Sequence, residues 1–254
     1  MKDKLQEIER LRKTISQYKP LDYEELKRIN EDFAVDYTYN SNAIEGNTIT
    51  LDETYLILKE KITICGKSLN DHLDLINHKE AYGYILELAK TDDELTLFEL
   101  KNIHYLVLNN NKSYRGVFRN IMVRVGSHTP IEPQYVNEEI TKLIDDYNNS
   151  DKSLEEIAKF HVNFERIHPF VDGNGRTGRL IMNLQLMKEN YLPINIKYKD
   201  LDKYYEIFKD YSKNHSYEKV INLVIDYELK ELKERLELLK SREISIKKNK
   251  GRSR

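Results

Sequence analysis

Four short patterns mark where helices begin in this chain of 254 residues. In each pattern a Ser, Thr or Asp is followed three residues later by Glu and then by apolar residues at three- and four-residue spacing. That combination is typical of a helix N-terminus closed by a capping box. The pairs are Asp22 with Glu25, Thr50 with Glu53, Thr96 with Glu99, and Ser153 with Glu156. Because the chain has only 9 glycines and 5 prolines, too few for the turns of an all-β fold, the sequence predicts an all-α protein.

Two stretches depart from the helical period. Residues 114–136, YRGVFRNIMVRVGSHTPIEPQYV, place β-branched residues around a Gly-Ser centre and contain two prolines. This pattern predicts a small β-hairpin or an extended flap, and the segment is called the flap below. A shorter extended piece is expected at residues 193–198.

The C-terminal part has a different composition. A long helix rich in Leu and alternating charge is expected from about Tyr217, followed by a disordered basic tail. The tail cations are Lys247, Lys248, Lys250, Arg252 and Arg254. The chain thus divides into N-terminal helices (1–50), a helical core (51–227) and a C-terminal helix end with its tail (228–254).

Composition narrows the class of protein. The formal net charge is −2, so the overall balance indicates no nucleic-acid partner. The polar start of the chain and the absence of an apolar run of ~20 residues favour a cytoplasmic protein without membrane contact. Cys65 is the only cysteine, which excludes an internal disulfide and a multi-cysteine zinc site. No histidine lies beside Cys65 in the sequence to activate it, so a structural role is expected.

The stretch 168–179, HPFVDGNGRTGR, carries the chemistry of the chain. It combines a base, a carboxylate, three glycines and two arginines in twelve residues. Apolar residues at helical spacing precede it (Leu154, Ile157, Ala158, His161, Phe164) and follow it (Leu180, Leu184, Met187), which predicts a loop between two helices. Glycine backbone N–H groups and the second helix's N-terminus then converge on one point, where an anion binds. Arg176 and Arg179 lie three residues apart and can address the same anion, which favours a site for several phosphates.

Two other phosphate motifs fit the stretch less well. Gly173, Gly175 and Gly178 match the spacing of a dinucleotide fingerprint, but that site requires a strand before the first glycine, and a helical pattern stands there instead. A Walker A loop is excluded because no Gly-Lys-Ser/Thr follows. A third interpretation is a simple capping loop, which needs neither two arginines nor three glycines.

These twelve residues resemble the signature of the Fic family, His-x-Phe-x-Asp/Glu-Gly-Asn-Gly-Arg-x-x-Arg, with every defined position present. The resemblance extends from about Asp22 to Tyr227. It implies a mostly helical core with the signature on an interhelical loop and a β-hairpin flap beside it. It also implies transfer of AMP from ATP to a Ser, Thr or Tyr hydroxyl of a protein, with pyrophosphate leaving.

The resemblance assigns a role to each signature residue. His168 is the general base, since an imidazole can take the hydroxyl proton near neutral pH. Asp172 holds Mg²⁺. The nucleotide-binding positions are Gly173, Asn174 and Gly175 at the α-phosphate, Arg176 at the β-phosphate, Gly178 within the loop-helix start, and Arg179 at the γ-phosphate. A related branch that transfers phosphate has lysine in place of Gly175, so glycine favours AMP transfer.

A second constellation lies upstream, where Ser41, Glu45 and Gly46 resemble the family's inhibitory motif, Ser/Thr-x-x-x-Glu-Gly/Asn. In that family the glutamate binds the second signature arginine, here Arg179, and occupies the place of the γ-phosphate. The alternative is that Glu45 is a surface residue before a Gly C-cap. The motif's position predicts the branch whose inhibitory helix is N-terminal and belongs to the same chain.

Two further groups complete the expected site. Tyr204 and Tyr205 resemble positions that line the family's adenine pocket, although core packing would explain them as well. The flap would align an extended segment of the target protein by main-chain hydrogen bonds. The alternative is that the flap only covers the core. The candidate docking residues are Ile121, Met122, Val123, Arg124 and Val125.

The sequence therefore predicts a protein adenylyltransferase that uses ATP and Mg²⁺ and is inhibited by Glu45. Two alternatives remain open: an enzyme that removes AMP, with Glu45 orienting water, and a non-catalytic nucleotide- or protein-binding module. A protein substrate is the expected partner, and self-modification and homo-oligomer formation are left open.

Overall fold

A computed structural model of the chain describes residues 1–126 and 128–252. Within these ranges it contains ten α-helices and no β-strand, which confirms the mostly helical class. The helices are α1 (Lys2–Ile15), α2 (Tyr23–Ile44), α3 (Leu51–Tyr55), α4 (Leu69–Leu88), α5 (Leu97–Val107), α6 (Val136–Asn148), α7 (Leu154–Ile167), α8 (Asn174–Lys188), α9 (Leu201–Asn214) and α10 (Glu218–Arg252). A π-helical turn, Leu56–Glu60, continues α3, and the 3₁₀ turns Pro133–Tyr135 and Tyr198–Asp200 precede α6 and α9. No helix in the described ranges combines the length and the apolar character needed to span a bilayer.

The predicted capping residues all begin helices. At α2 the Asp22 carboxylate accepts from Glu25 N while Glu25 accepts from Asp22 N, so the capping box is complete. Thr50 and Glu53 form the same reciprocal pair at α3. At α5 and α7 the hydroxyls of Thr96 and Ser153 accept the expected backbone N–H groups as N-caps. Each cap satisfies N–H groups that the helix itself leaves unpaired.

Helix α8 is the centre of the fold. All of residues 176–186 are buried, and the helix packs against α2, α4, α5 and α7. The sequence periodicity predicts a single apolar face for this helix. In the structure α8 is enclosed by other helices, so its whole circumference is buried. As a result Arg176 and Arg179 lie inside the protein, where each guanidinium needs a partner of its own.

Asn183 connects α8 to the extended piece that follows it. Its side-chain amide donates to Ile194 O (2.9 Å) and accepts from Ile194 N (2.8 Å), and both residues are buried. The contact gives the non-helical backbone the hydrogen bonds that a helix or sheet would otherwise supply.

Replacing Asn183 with leucine is expected to lower the free energy of unfolding by roughly 2 to 5 kcal/mol, because two buried backbone groups of Ile194 lose their only polar partner. Urea denaturation measures the change. Asn214→Leu is the matched control, since Asn214 is exposed and bonds only to Asp210 on its own helix. A loss under about 1 kcal/mol at Asn183 would contradict the pairing.

The flap differs from the predicted hairpin. Its described residues contain one isolated bridge, in which Val125 N donates to His128 O and His128 N donates to Val125 O. Pro130 and Pro133 supply no N–H to a ladder, which explains why strand pairing does not extend from this bridge. The described residues of the flap therefore form an irregular segment in which Val125 and His128 are paired.

The basic tail also differs from its prediction. The backbone of α10 continues through Lys247 and Lys250 as far as Arg252, so a disordered tail is wrong over those positions. Lysine and arginine are good helix formers, and a helix already running can extend through them. Arg254 lies outside the described residues.

Candidate functional site

The signature stretch connects α7 to α8, as the sequence predicts. His168 ends α7 in the left-handed region (φ 50°) and Gly173 begins α8 there as well (φ 74°). A left-handed conformation costs ~1–2 kcal/mol for a residue with a side chain. Contacts from outside the loop must therefore hold His168 in place.

Arg119, at the start of the flap, supplies those contacts. It is almost fully buried, with 3% of its surface exposed. Its guanidinium donates to the carbonyl oxygens of His168 (2.8 Å), Ile167 (3.3 Å), Ile121 (3.2 Å) and Ile131 (2.5 Å), and its backbone N donates to Pro169 O (2.9 Å). A single side chain thus joins both ends of the flap to the backbone of the signature loop.

Replacing Arg119 with lysine is expected to loosen the flap, because an ammonium group cannot reach four carbonyls as a planar guanidinium does. Losing one charged hydrogen bond makes local opening ~10- to 100-fold more frequent. Trypsin cleavage after the exposed Arg124 should accelerate accordingly. Arg115→Lys, which changes a neighbouring arginine that stacks on Tyr105, serves as control, and equal cleavage rates in the two variants would contradict the role of Arg119.

A histidine that the sequence analysis did not single out braces the other side of the loop. The His104 ring stacks on Phe170, with ring centroids 3.5 Å apart and planes 3° from parallel. Gly116 N donates to His104 Nδ1 (2.9 Å), so Nε2 carries the proton and donates to Asp172 O (2.9 Å). Burial lowers the pKa of His104 to about 4, which keeps the ring neutral and this tautomer fixed.

Asn174 closes the signature loop with its side chain. Its side-chain oxygen accepts from Phe170 N (2.9 Å) and its amide nitrogen donates to Phe170 O (3.0 Å). Both ends of the amide thus close the loop, and the second N–H of the amide nitrogen is left for another acceptor. Backbone N–H groups at the N-terminus of α8 are further donors that an anion could use.

His168 is the basic group of the site. Its Nδ1 lies 3.3 Å from Glu165 O, and a proton on Nδ1 leaves Nε2 as the basic atom of the neutral ring. Burial lowers the pKa of His168 to about 4. The ring is therefore neutral, and able to accept a proton, at physiological pH.

Arg179 is held by the end of α2. Its Nη2 donates to Glu45 Oε1 and to Ser41 O, each at 2.8 Å, and its Nε donates to Ser41 Oγ at 3.1 Å. The arginine is 1% exposed, whereas the Glu45 side chain is 36% exposed. Gly46 follows with φ 90°, a conformation that lets the chain turn away directly after Glu45.

Gly175 leaves the space that Glu45 uses. A Cβ atom added at this position would overlap the Glu45 carboxylate and lie 3.1 Å from Arg179 Nη1. A larger residue at position 175 would thus displace the ion pair. Gly175 and Glu45, which are 130 residues apart in the sequence, are therefore in close contact in the fold.

Arg176 is also engaged, by a residue that the sequence analysis did not identify. Asp74 of α4 lies 3.0 Å from Arg176 Nη1, and Asn42 Oδ1 accepts from the same nitrogen at 3.5 Å. Asp172 lies 3.6 Å from Nη2. Burial is the main reason that the pKa of Asp74 is raised, although Arg176 acts against it.

A cleft of about 710 Å³ opens beside these residues. Its walls include Glu45, His168, Gly175, Arg179, Tyr205 and Val125, so it joins the signature loop, α2, α9 and the flap tip. Of the predicted docking residues, Ile121 and Met122 are about half exposed.

The two tyrosines of α9 differ in their surroundings. Tyr204 is 2% exposed; its hydroxyl bonds to His161 Nε2 (2.8 Å) and accepts from Arg179 Nη1 (3.4 Å). Tyr205 is 41% exposed and donates to Ile44 O (3.2 Å). Both tyrosines line the cleft; Tyr204 also supports Arg179, and Tyr205 is the more exposed of the two.

A buried polar loop at a helix N-terminus, with a neutral imidazole and two arginines, is typical of the class of proteins that bind phosphate groups. Comparison with known proteins narrows this class. The Fic/DOC family profile matches residues 94–186. The chain belongs to the Fic/DOC family.

Relatives along the wider chain agree with this assignment. Protein adenylyltransferase fic-1 of Caenorhabditis elegans is 33% identical over 187 residues, covering 71% of this chain and 37% of the relative. Protein adenylyltransferase Fic of Nematostella vectensis is 34% identical over 187 residues, covering 71% and 44%. The chain thus spans less than half the length of these relatives.

A solved structure extends the similarity to nearly the whole fold. The Fic domain containing signaling protein from Bacteroides thetaiotaomicron superposes with a TM-score of 0.83 at 27% identity, covering 92% of this chain and 98% of that one.

Proposed function

We propose that this chain transfers AMP from ATP to a hydroxyl group of a protein. The observation that carries the proposal is the meeting of His168, Arg179 and the N-terminus of α8 at one cleft. A neutral base, a fixed cation and a backbone anion site are the groups that such a transfer requires. The names of the two relatives support the same class of reaction.

The reaction is a displacement at the α-phosphorus. The target oxygen attacks this atom, the bond to the bridging oxygen of the β-phosphate breaks, and pyrophosphate leaves. The hydroxyl proton passes to His168 Nε2. Backbone N–H groups at the N-terminus of α8, that of Gly175 among them, stabilise the charge on the α-phosphate oxygens, and Arg176 and Arg179 bind the departing phosphates.

Asp172 is the residue that would hold Mg²⁺. Its side chain is 65% exposed; one oxygen accepts from Gly173 N (2.6 Å) and stands 3.6 Å from Arg176 Nη2. The other oxygen is left for a cation, which fits Mg²⁺ because this ion uses one or two carboxylates together with substrate phosphates. When bound, Mg²⁺ neutralises charge on the phosphates.

Glu45 regulates the site in this proposal. Its ion pair with Arg179 occupies a guanidinium edge that a γ-phosphate would use, so ATP and Glu45 compete. While Glu45 is engaged, the α-phosphate does not align with the incoming hydroxyl. Release of Glu45 is therefore the activating event.

The remaining surfaces fit a nucleotide and a protein target. Tyr205 offers a ring face for the adenine base. The flap reaches the cleft at Val125, and residues 121–125 would hold an extended target segment in line with the α-phosphate. A protein substrate in the cytoplasm, the chain itself included, is the partner that we infer.

Two forms of labelled ATP test the reaction. A Glu45→Gly variant is incubated with Mg²⁺ and cell proteins, in one reaction with ATP labelled at the α-phosphate and in another with ATP labelled at the γ-phosphate. AMP transfer incorporates the α-label into protein and leaves the γ-label in pyrophosphate. Incorporation of the γ-label alone would indicate phosphate transfer, and no incorporation by the folded variant would reject the proposal.

The same material distinguishes addition from removal of AMP. Labelled protein is purified away from the variant and mixed with the wild-type chain. Retention of the label is expected. Loss of the label would favour a phosphodiesterase in which Glu45 orients water.

A further inference from the structure

Glu165 is a buried carboxyl group in the cleft to which the proposed reaction gives no role. It lies on α7 one turn before His168, and its side chain is 12% exposed. One oxygen, Oε2, is 4.0 Å from His168 Nδ1. The other, Oε1, has no hydrogen-bonding partner among the described residues. Burying an unpaired carboxyl oxygen is unfavourable, so a structural explanation for Glu165 alone is weak.

The fold keeps space for this carboxyl group. A Cβ atom added at Gly178 of α8 would lie 2.5 Å from Glu165 Oε1 and 3.0 Å from the Phe164 ring. Glycine at position 178 therefore lets the carboxyl group lie against the α8 backbone. The Glu165 carbonyl oxygen also faces His168 Nδ1, so backbone and side chain of one residue address the same ring nitrogen.

Groups from four elements surround Glu165. His168 lies on its own helix, Glu45 at the end of α2, Arg179 on α8, and Tyr204 with Tyr205 on α9. Burial, followed by the charge of Glu45, raises the pKa of Glu165 to about 8, and Arg179 acts in the opposite direction. The Glu165 carboxyl is thus protonated at neutral pH while Glu45 stays on Arg179.

We infer that Glu165 is a positioning residue for His168, and that its carboxylate stabilises the His168 imidazolium once Glu45 has left Arg179. The inference rests on the proposed AMP transfer. With Glu45 gone, the second of the two causes that raise the pKa of Glu165 is removed, and the positive charge that His168 gains favours loss of the Glu165 proton to water. His168 keeps its Nδ1 proton and donates it to Glu165 Oε2, while Nε2 takes the proton of the target hydroxyl. Departure of Glu45 then both frees Arg179 for the nucleotide and favours ionisation of Glu165 beside His168.

The test compares Glu45→Gly with Glu45→Gly/Glu165→Gln. Glutamine keeps the shape of the side chain but cannot ionise. The rate of AMP transfer at saturating ATP should fall ~10- to 150-fold, the contribution of a hydrogen bond to a charged group, with little change in KM for ATP. The acid limb of the pH–rate profile should move to lower pH, since the imidazolium loses its carboxylate.

NMR of labelled histidine gives a second readout that does not depend on activity. The pKa of His168 should be lower in the double variant than in Glu45→Gly. Glu165→Asp in the same background should recover part of the rate, because it keeps the ionisable group. Equal rates and equal His168 pKa values would overturn the inference while leaving the AMP transfer itself intact, and absence of transfer in Glu45→Gly would instead reject the proposed function.

Discussion

AMP transfer is expected to rise about 5- to 150-fold when Glu45 is replaced by glycine, the range for a coupling of ~1 to 3 kcal/mol between two sites. The ion pair of Glu45 with Arg179 Nη2 (2.8 Å) is removed, and the γ-phosphate can then bind this nitrogen. Arg179 stays in place, because Ser41 still accepts from its Nε and Nη2. The measurement is the initial rate of incorporation of α-labelled AMP at several ATP concentrations.

Glycine suits position 45 for a structural reason. Glu45 is the C-cap of α2, outside the regular helix, so a glycine there does not weaken a helix interior. Glu45→Gln is the matched variant: it keeps the size and an acceptor oxygen but removes the charge, and a smaller rise is expected. If both variants label protein at the wild-type rate, Glu45 does not restrain the site.

The interhelical loop could be predicted because its signals are local. The caps at Ser153 and at Gly173 lie within a few residues of the helices they begin, and capping depends on neighbouring positions. The pairing of Glu45 with Arg179 joins residues 134 positions apart. It was expected only because the residues around both positions resemble a known family.

The groups that brace the loop could not be predicted in this way. His104 reaches Asp172 across 68 residues, and Arg119 reaches His168 across 49. Neither residue stands in a pattern that a helical period or a turn would require, so their roles follow from tertiary packing alone. Asp74 is a similar case, since one more acidic residue on a charged helix carries no signal of its own.

The predicted β-hairpin of the flap is not confirmed among the described residues, although the sequence signal for it is local. β-branched residues around a glycine favour a hairpin, but an isolated hairpin is marginal without a sheet beside it. Here the neighbours of the flap are helices, and Arg119 binds the carbonyls of Ile121 and Ile131 directly. A side chain thus supplies the donors that a paired strand would have offered.

Loss of the His168 imidazole is expected to reduce AMP transfer ~10²- to 10⁴-fold, the usual contribution of a general base. His168 is best replaced by asparagine, which tolerates the left-handed backbone at this position. ATP binding should persist, because Arg179 and the N-terminus of α8 are unchanged. The rate is measured in the Glu45→Gly background, because the starting rate is higher there and a large loss can still be measured.

His215→Asn is the matched control for this change. His215 also ends a helix in the left-handed region, with φ 51° against φ 50° for His168, but it is exposed at the end of α9. Burial holds the pKa of His168 down, to about 4, so the basic form is present above that pH and is lost as the pH falls through it. Transfer by the protein with His168 intact should therefore decline on the acid side, and the residual rate of His168→Asn should not show this decline. Equal losses in the two asparagine variants would mean that the backbone of the cap, and not the imidazole, sets the rate.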